Sequence, residues 1–270
     1  MHKRRPRLDA KVAIVTGAGS AGSGVGTGAA IARLFAREGC HVLMADVIPA
    51  HAEATLEMIR SDGGKASIEE VDVTQSDDCY RMVEAAMARY GGLDILVNNV
   101  GIIAPGNVLG VREEDWDRVI DTNLKSVMVA SKHAIPRMID GGGGAIVNLA
   151  SIMGMRAGYE TEPVAYSASK GGVIALTKAM ASDHGRDNIR VNAISPGYLY
   201  TPMVASNVTE ELRDLRRRSA PLGTEGTAWD VAWAAVYLAS DEARWVTGVT
   251  LPVDAGVLAT LPLAMHRDMA

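Results

Sequence analysis

Cysteine is scarce in this chain, with two among 270 residues. Cys40 and Cys79 fall in different predicted elements and neither belongs to a C-x-x-C pair. That argues against a disulfide framework and against a zinc site, so no metal is expected, and it fits a reducing, cytoplasmic setting. Long apolar runs are missing as well: none approaches the roughly 20 residues that span a bilayer, so no membrane association is expected. The basic start, MHKRRPRLDA, is not followed by an apolar stretch of signal-peptide type before the first strand. Charge of one sign is also lacking. Lys and Arg number 27 against 32 Asp and Glu, a formal net charge of -5, which offers no electrostatic case for nucleic acid. The KRRPR run reads as a solvated tail rather than a nucleic-acid patch. There is no internal repeat and no low-complexity linker. With 48% apolar and 22% charged residues, the chain has the composition of a soluble globular protein and the length of one large domain.

What is present is alternation. Short β-branched runs lie at Val12 to Val15, His41 to Asp46, Ala66 to Val73, Leu93 to Asn98, Ala145 to Leu149, Arg190 to Ile194 and Val249 to Val253. Amphipathic stretches such as Ala29 to Glu38 and Ala50 to Ser61 separate them. In the first of these, Ala30, Ile31, Leu34 and Phe35 recur on one helical face. Strand, helix, strand repeats predict an α/β protein: a doubly wound, seven-stranded parallel sheet flanked by helices. Glycines at 63–64, 91–92 and 141–144 stop helices ahead of strands. The long interval from Tyr198 to about Thr247 reads as helices over the C-terminal edge of the sheet, where such proteins bind ligands.

The first strand runs into a glycine-rich turn, Thr16-Gly17-Ala18-Gly19-Ser20 through Gly26-Thr27-Gly28, and a helix follows at once. Glycines in this place let the backbone approach a pyrophosphate, with helix N–H groups facing the anion. A plain surface turn is the alternative. Asp46 ends the second strand about 20 residues later, where a carboxylate accepts from both ribose hydroxyls of a dinucleotide and repels a 2′-phosphate. Its neighbours Ala45, Val47 and Ile48 are not basic, and the loop carries no Arg or Lys before Arg33. These features favour NAD over NADP, although Asp46 could also simply cap the next turn. Tyr166 and Lys170, four apart at the start of an alanine-rich helix, share a face. An ammonium near a phenol favours its phenolate, so the pair can serve proton transfer. Spacing alone would leave it an ordinary helix start.

Seven motifs in order make the chain resemble the short-chain dehydrogenase/reductase family, over Lys11 to about Gly256. They are the glycine loop, Asn98-Asn99-Val100-Gly101, Asn123 in Asp121-Thr122-Asn123-Leu124, and Val147-Asn148-Leu149-Ala150-Ser151. Tyr166-Ser167-Ala168-Ser169-Lys170, Ser195-Pro196-Gly197 with Thr201-Pro202-Met203, and Val253-Asp254-Ala255-Gly256 complete the set. The resemblance implies a single Rossmann-type domain over 11–257, with tails at 1–10 and 258–270 and a substrate lid at about 198–226. It implies an NAD-dependent oxidoreductase passing a hydride between nicotinamide and a small, mostly apolar secondary alcohol or ketone. Tyr166 would be the general acid/base and Ser151 would bind the substrate oxygen. Lys170 would lower the phenol pKa and hold the ribose, and Asn123 would place a water linking Lys170 to solvent. Gly17, Ser20, Gly26, Thr27 and Gly28 would meet the pyrophosphate, and Asp46 and Val47 the ribose. Asp72 and Val73 would bracket the adenine, while Asn99, Val100 and Gly101 would line the cofactor. Pro196, Gly197, Leu199, Thr201 and Met203 would hold the carboxamide. A homotetramer is also implied, through helices at about Glu113 to Met138 and Tyr166 to Asp183 and through the last strand.

The chain departs from the family pattern in two places. Eight residues separate Gly17 from Gly26, where the family has three. This insert would reach over the adenosine or meet a neighbouring subunit. The stretch between Ser151 and Tyr166 is also long. Its Met153 and Tyr159, with Tyr198 and Met203, would give the substrate pocket a pliable apolar wall, unless the methionines simply pack. Arg156 and the arginines at 213 and 216–218 read as solvated or locally paired rather than as anion contacts. Two alternatives stay open: a 3-oxoacyl-thioester reductase, and a nucleotide-binding regulator without catalysis. The second would have lost Tyr166, Lys170 or Ser151, and all three are present.

Overall fold

The computed structural model describes residues 5–20, 22, 24–157, 163–205 and 208–260. Seven strands form one all-parallel sheet: β1 Val12–Thr16, β2 His41–Asp46, β3 Lys65–Glu70, β4 Ile95–Asn98, β5 Gly144–Leu149, β6 Ile189–Pro196 and β7 Thr250–Val253. Their spatial order is β3-β2-β1-β4-β5-β6-β7, so the winding direction reverses between β1 and β4. Connections from these two strands leave on opposite sides and open a crevice at the carboxyl ends, where ligands of this architecture bind.

Alternation within the strands explains the layers. Ala13 and Val15 join one core with Val42, Met44, Val147 and Ile194, beneath α1 Thr27–Arg37, α2 Ala50–Ser61 and α9 Ala228–Ala239. Val12 and Ile14 join the other with Leu43, Leu96, Ile146 and Val191. That face is covered by α3 Ser76–Tyr90, α5 Ser126–Asp140 and α6 Val164–His184. Both sheet faces are therefore buried, which is why the strands read as continuous apolar runs.

Three expectations are corrected. The third strand stops at Glu70, and Asp72 begins a turn whose carboxylate accepts from Thr74 N–H at 2.9 Å and Thr74 Oγ1 at 2.7 Å. The helix expected over Glu113 to Met138 is α4 Glu113–Ile120 and α5 joined by a π turn, Asp121–Lys125. Of the helices after Tyr198, α9 lies on the sheet face beside α1 rather than over the edge. Among the described residues, the helices in the segment between β6 and α9 are α7 Pro202–Ala205 and α8 Glu210–Arg218. No helix among the described residues is long and apolar enough to cross a membrane.

Candidate active site

The carboxyl end of β5 and the start of α6 bring the central group together. Ser151 follows β5 directly, and its hydroxyl accepts from Met153 N–H at 3.2 Å, capping a 3₁₀ turn at Ile152–Gly154. The same hydroxyl stands close enough to the Tyr166 phenol to favour its ionised form. Burial pushes the phenol above its ordinary value, and the nearby Ser151 hydroxyl opposes that shift in part. Lys170 sits one turn further along α6, with its ammonium 5.7 Å from the Tyr166 ring centroid. It is buried, and its Nζ donates to the Leu149 carbonyl at 2.6 Å. Burial draws its pKa down to about 8. Both groups are shifted towards their neutral forms by loss of water.

Asn123 lies in the π turn and is fully buried. Its Oδ1 accepts from Ile102 N–H at 2.8 Å, and its Nδ2 donates to Ile102 O at 2.9 Å and to Ser169 Oγ at 3.1 Å. π turns of this kind often mark functional positions. Gly101 lies between Asn123 and Lys170: a Cβ there would stand 3.3 Å from Lys170 Nζ and 3.7 Å from Asn123 Oδ1. Beneath the group runs a polar ladder that sequence reasoning missed. Asn98 Nδ2 donates to Asn148 Oδ1 at 2.9 Å, and Asn148 Nδ2 donates to Thr177 Oγ1 at 2.9 Å. These residues are buried, and the ladder ties β4, β5 and α6 together under Ser151. Asn98 and Asn148 face one another in register, and two asparagines in neighbouring strands were the available signal.

The glycine loop fits a dinucleotide. A Cβ on Gly28 would fall 2.1 Å from the Gly17 carbonyl oxygen and 2.6 Å from Asn99 Nδ2, so helix α1 can approach β1 only with glycine there. Gly17 itself has φ +61°. Asn99 holds the turn open by donating to Thr16 O at 3.1 Å and Gly17 O at 2.9 Å. Among the described residues no side chain caps the amino end of α1, which leaves its first amides facing the place an anion would take. Ser20 Oγ accepts from Gly26 N–H at 2.7 Å. Of the insert, Gly24 faces the start of α7: a Cβ there would stand 3.4 Å from Pro202 Cγ.

Between β6 and α9, Tyr200 N–H donates to Gly226 O at 2.9 Å, closing the segment into a loop. Arg213 stacks on Tyr200 with its guanidinium 3.8 Å from the ring centroid, and grips Glu225 at 2.9 and 2.7 Å. Arg217 and Arg218 pair with Asp214. These local pairs, rather than open cations, occupy most of the arginines of α8. Tyr198, Met203, Met155 and Ile103 are exposed, and Met153 is half-buried. Arg156 donates to Thr260 O at 3.0 Å, tying the stretch after Ser151 to the C-terminal region. Tyr159 lies outside the described residues.

A family model described as enoyl-(acyl carrier protein) reductase matches residues 21–258. The chain is a member of the short-chain dehydrogenase/reductase family. It is 37% identical over 252 residues to a 3-oxoacyl-[acyl-carrier-protein] reductase of Thermotoga maritima, covering 93% of this chain and 99% of the relative. It is 40% identical over 252 residues to a cis-4-hydroxycyclohexanecarboxylate dehydrogenase of Sinomonas cyclohexanicum, covering 92% and 97%. A solved 7α-hydroxysteroid dehydrogenase, complexed with NADH and 7-oxo glycochenodeoxycholic acid, superposes with a TM-score of 0.87 at 33% identity, over 93% of this chain and 96% of its own. Short-chain dehydrogenases/reductases are oxidoreductases, and this member is one.

Proposed function

We propose that this oxidoreductase is NAD-dependent and interconverts small, mostly apolar secondary alcohols and their ketones. The observation that carries the reading is the Tyr166 phenol brought close to the Ser151 hydroxyl and beside buried Lys170. A substrate oxygen between the two hydroxyls receives a hydrogen bond from Ser151 and exchanges its proton with the Tyr166 oxygen. In the ketone direction, a phenol kept neutral by burial is a ready donor. In the alcohol direction the proton has to leave, and Lys170 titrates close enough to neutrality to share it. Asn123 fixes the Ile102 backbone and Ser169 around this path. The nicotinamide, when bound, supplies the hydride acceptor or donor.

The cofactor would lie across the β1–β4 crevice. Gly17, Ser20, Gly26, Thr27 and Gly28 would surround the pyrophosphate, Asp46 and Val47 the ribose, and Asp72 and Val73 the adenine. Asn99 to Gly101 and Pro196, Gly197, Leu199, Thr201 and Met203 would hold the nicotinamide half. Asp46 supports NAD, and the NADH in the related hydroxysteroid dehydrogenase agrees with it. Two of the relatives act, by name, on ring-borne hydroxyls, which suits the exposed apolar Met155, Met203 and Ile103. Exposed Trp116 and Met128 on α4 and α5, and Trp233 and Tyr237 on α9, support a homotetramer. The test is turnover of cyclic secondary alcohols with NAD and with NADP. Faster oxidation with NAD is expected, and turnover with NADP alone would overturn the cofactor assignment.

A second reading, 3-oxoacyl-thioester reduction, is supported by the Thermotoga maritima relative. Reduction of a 3-oxoacyl thioester with NADPH, without alcohol oxidation, would favour it.

A further inference from the structure

The lengthened glycine loop is docked where it begins. Gly19 N–H donates to Asp46 Oδ2 at 2.9 Å, and Ile48 N–H donates to Asp46 Oδ1 at 3.0 Å. The next residue, Ser20, donates its N–H to the His51 carbonyl at 3.0 Å. Residues 19 and 20 therefore lie on the corner between β2 and α2 rather than standing away from it. Only glycine permits this approach. A Cβ on residue 19 would be 2.6 Å from His51 Cβ, 2.8 Å from the His51 carbonyl carbon and 2.8 Å from Asp46 Oδ2. Two of those three neighbours are a backbone atom and a Cβ, which cannot swing aside as a side-chain tip does.

The consequence is chemical. Each oxygen of an ionised carboxylate accepts about two hydrogen bonds. The two backbone N–H groups take one position on each oxygen and fix the carboxylate plane, leaving acceptor capacity on both. A ribose diol brings two O–H donors and matches that remainder. A 2′-phosphate brings charge and no donor at that position, and could be tolerated only if the carboxylate turned away. The Gly19 and Ile48 amides oppose that turn.

We propose that Gly19 is a cofactor-specificity determinant: by docking on His51 and donating to Asp46, it pins the carboxylate in the orientation that accepts a ribose diol and excludes a 2′-phosphate. Charge at Asp46 is then one half of the discrimination, and its immobility is the other. The inference rests on the NAD reading above and adds to it a residue that sequence motifs treat as filler.

The experiment is a double-mutant cycle on the full chain, reading NADH and NADPH binding by nicotinamide fluorescence. The proteins are wild type, Gly19→Ala, Asp46→Ala and the double variant, with circular dichroism to show that each is folded. Loss of a charge-assisted hydrogen bond predicts that Gly19→Ala lowers the ratio of NADPH to NADH dissociation constants by about tenfold or more. In the Asp46→Ala background, the same change should leave the ratio within about twofold, because the effect acts through the carboxylate. A structural role alone would weaken both cofactors equally; an unchanged ratio in Gly19→Ala therefore overturns the inference. So does an equal shift in the Asp46→Ala background. Wild type preferring NADPH would instead overturn the NAD reading itself.

Discussion

Lys170 carries the sharpest energetic consequence of this fold. Burial lowers its pKa from 10.5 to about 8, a shift of about 2.5. At about 1.36 kcal/mol per pKa unit, that is about 3 kcal/mol. Between pH 8 and pH 10.5 the unfolded chain holds a proton on this lysine that the folded chain has released. Stability must therefore rise with pH across that window, and the cost of the buried ammonium is present in full below about pH 8. A Lys170→Met variant keeps the volume and loses the titration. Its lost bond to the Leu149 carbonyl contributes an offset that does not change over the window. Urea denaturation of both proteins without cofactor, from pH 7 to pH 11, should show wild type gaining about 3 kcal/mol on the variant between the two pKa values. The Tyr166 phenol, pushed above its ordinary value by burial, is common to both. Parallel curves would refute the reasoning, because they would mean that the ammonium is as well solvated inside as outside.

Three further outcomes follow from contacts elsewhere. Gly28→Ala places a Cβ 2.1 Å from the Gly17 carbonyl, so α1 must retreat from β1. NADH affinity should fall by about tenfold or more in a fluorescence titration, with a loss of about 1–3 kcal/mol in stability. Asn148→Ala removes one buried partner each from the Asn98 amide and the Thr177 hydroxyl, leaving Asn98 its long bond to Ser131 Oγ and Thr177 its bond to the Val173 carbonyl, and should cost about 1–2 kcal/mol by chemical denaturation. Arg213→Ala removes the Glu225 grip and the Tyr200 stack together. Limited proteolysis should then cut between Tyr198 and Gly226 faster than in wild type, while the melting temperature of the sheet moves little.

The strands were legible because both faces of a parallel sheet are buried, and β2 and α2 have the bounds that their patterns predict. The third strand was not. Val71 and Val73 continue the apolar run, but the Asp72 carboxylate folds the backbone into a turn, and a side-chain cap of this kind leaves the hydrophobic pattern intact. The π turn at Asp121–Lys125 was invisible for a related reason: a single extra residue per turn shifts phase without changing composition. At the site, motifs placed Ser151, Tyr166 and Lys170 at one sheet edge. The Leu149 carbonyl that holds Lys170 carries no sequence signal, since any residue supplies a carbonyl. The docking of Gly19 on His51 was hidden likewise, because it depends on the path of a loop longer than the pattern it resembles.

The central claim is that Tyr166 exchanges the substrate proton, and it is tested most directly by Tyr166→Phe. The phenyl ring keeps the packing against Lys170 and removes only the phenol oxygen near Ser151. NADH binding should stay within about threefold of wild type, while NAD-linked oxidation of a cyclic secondary alcohol falls by about 10²–10⁴. A variant that keeps more than about a tenth of wild-type turnover would contradict the account, because general acid–base catalysis contributes far more than that margin.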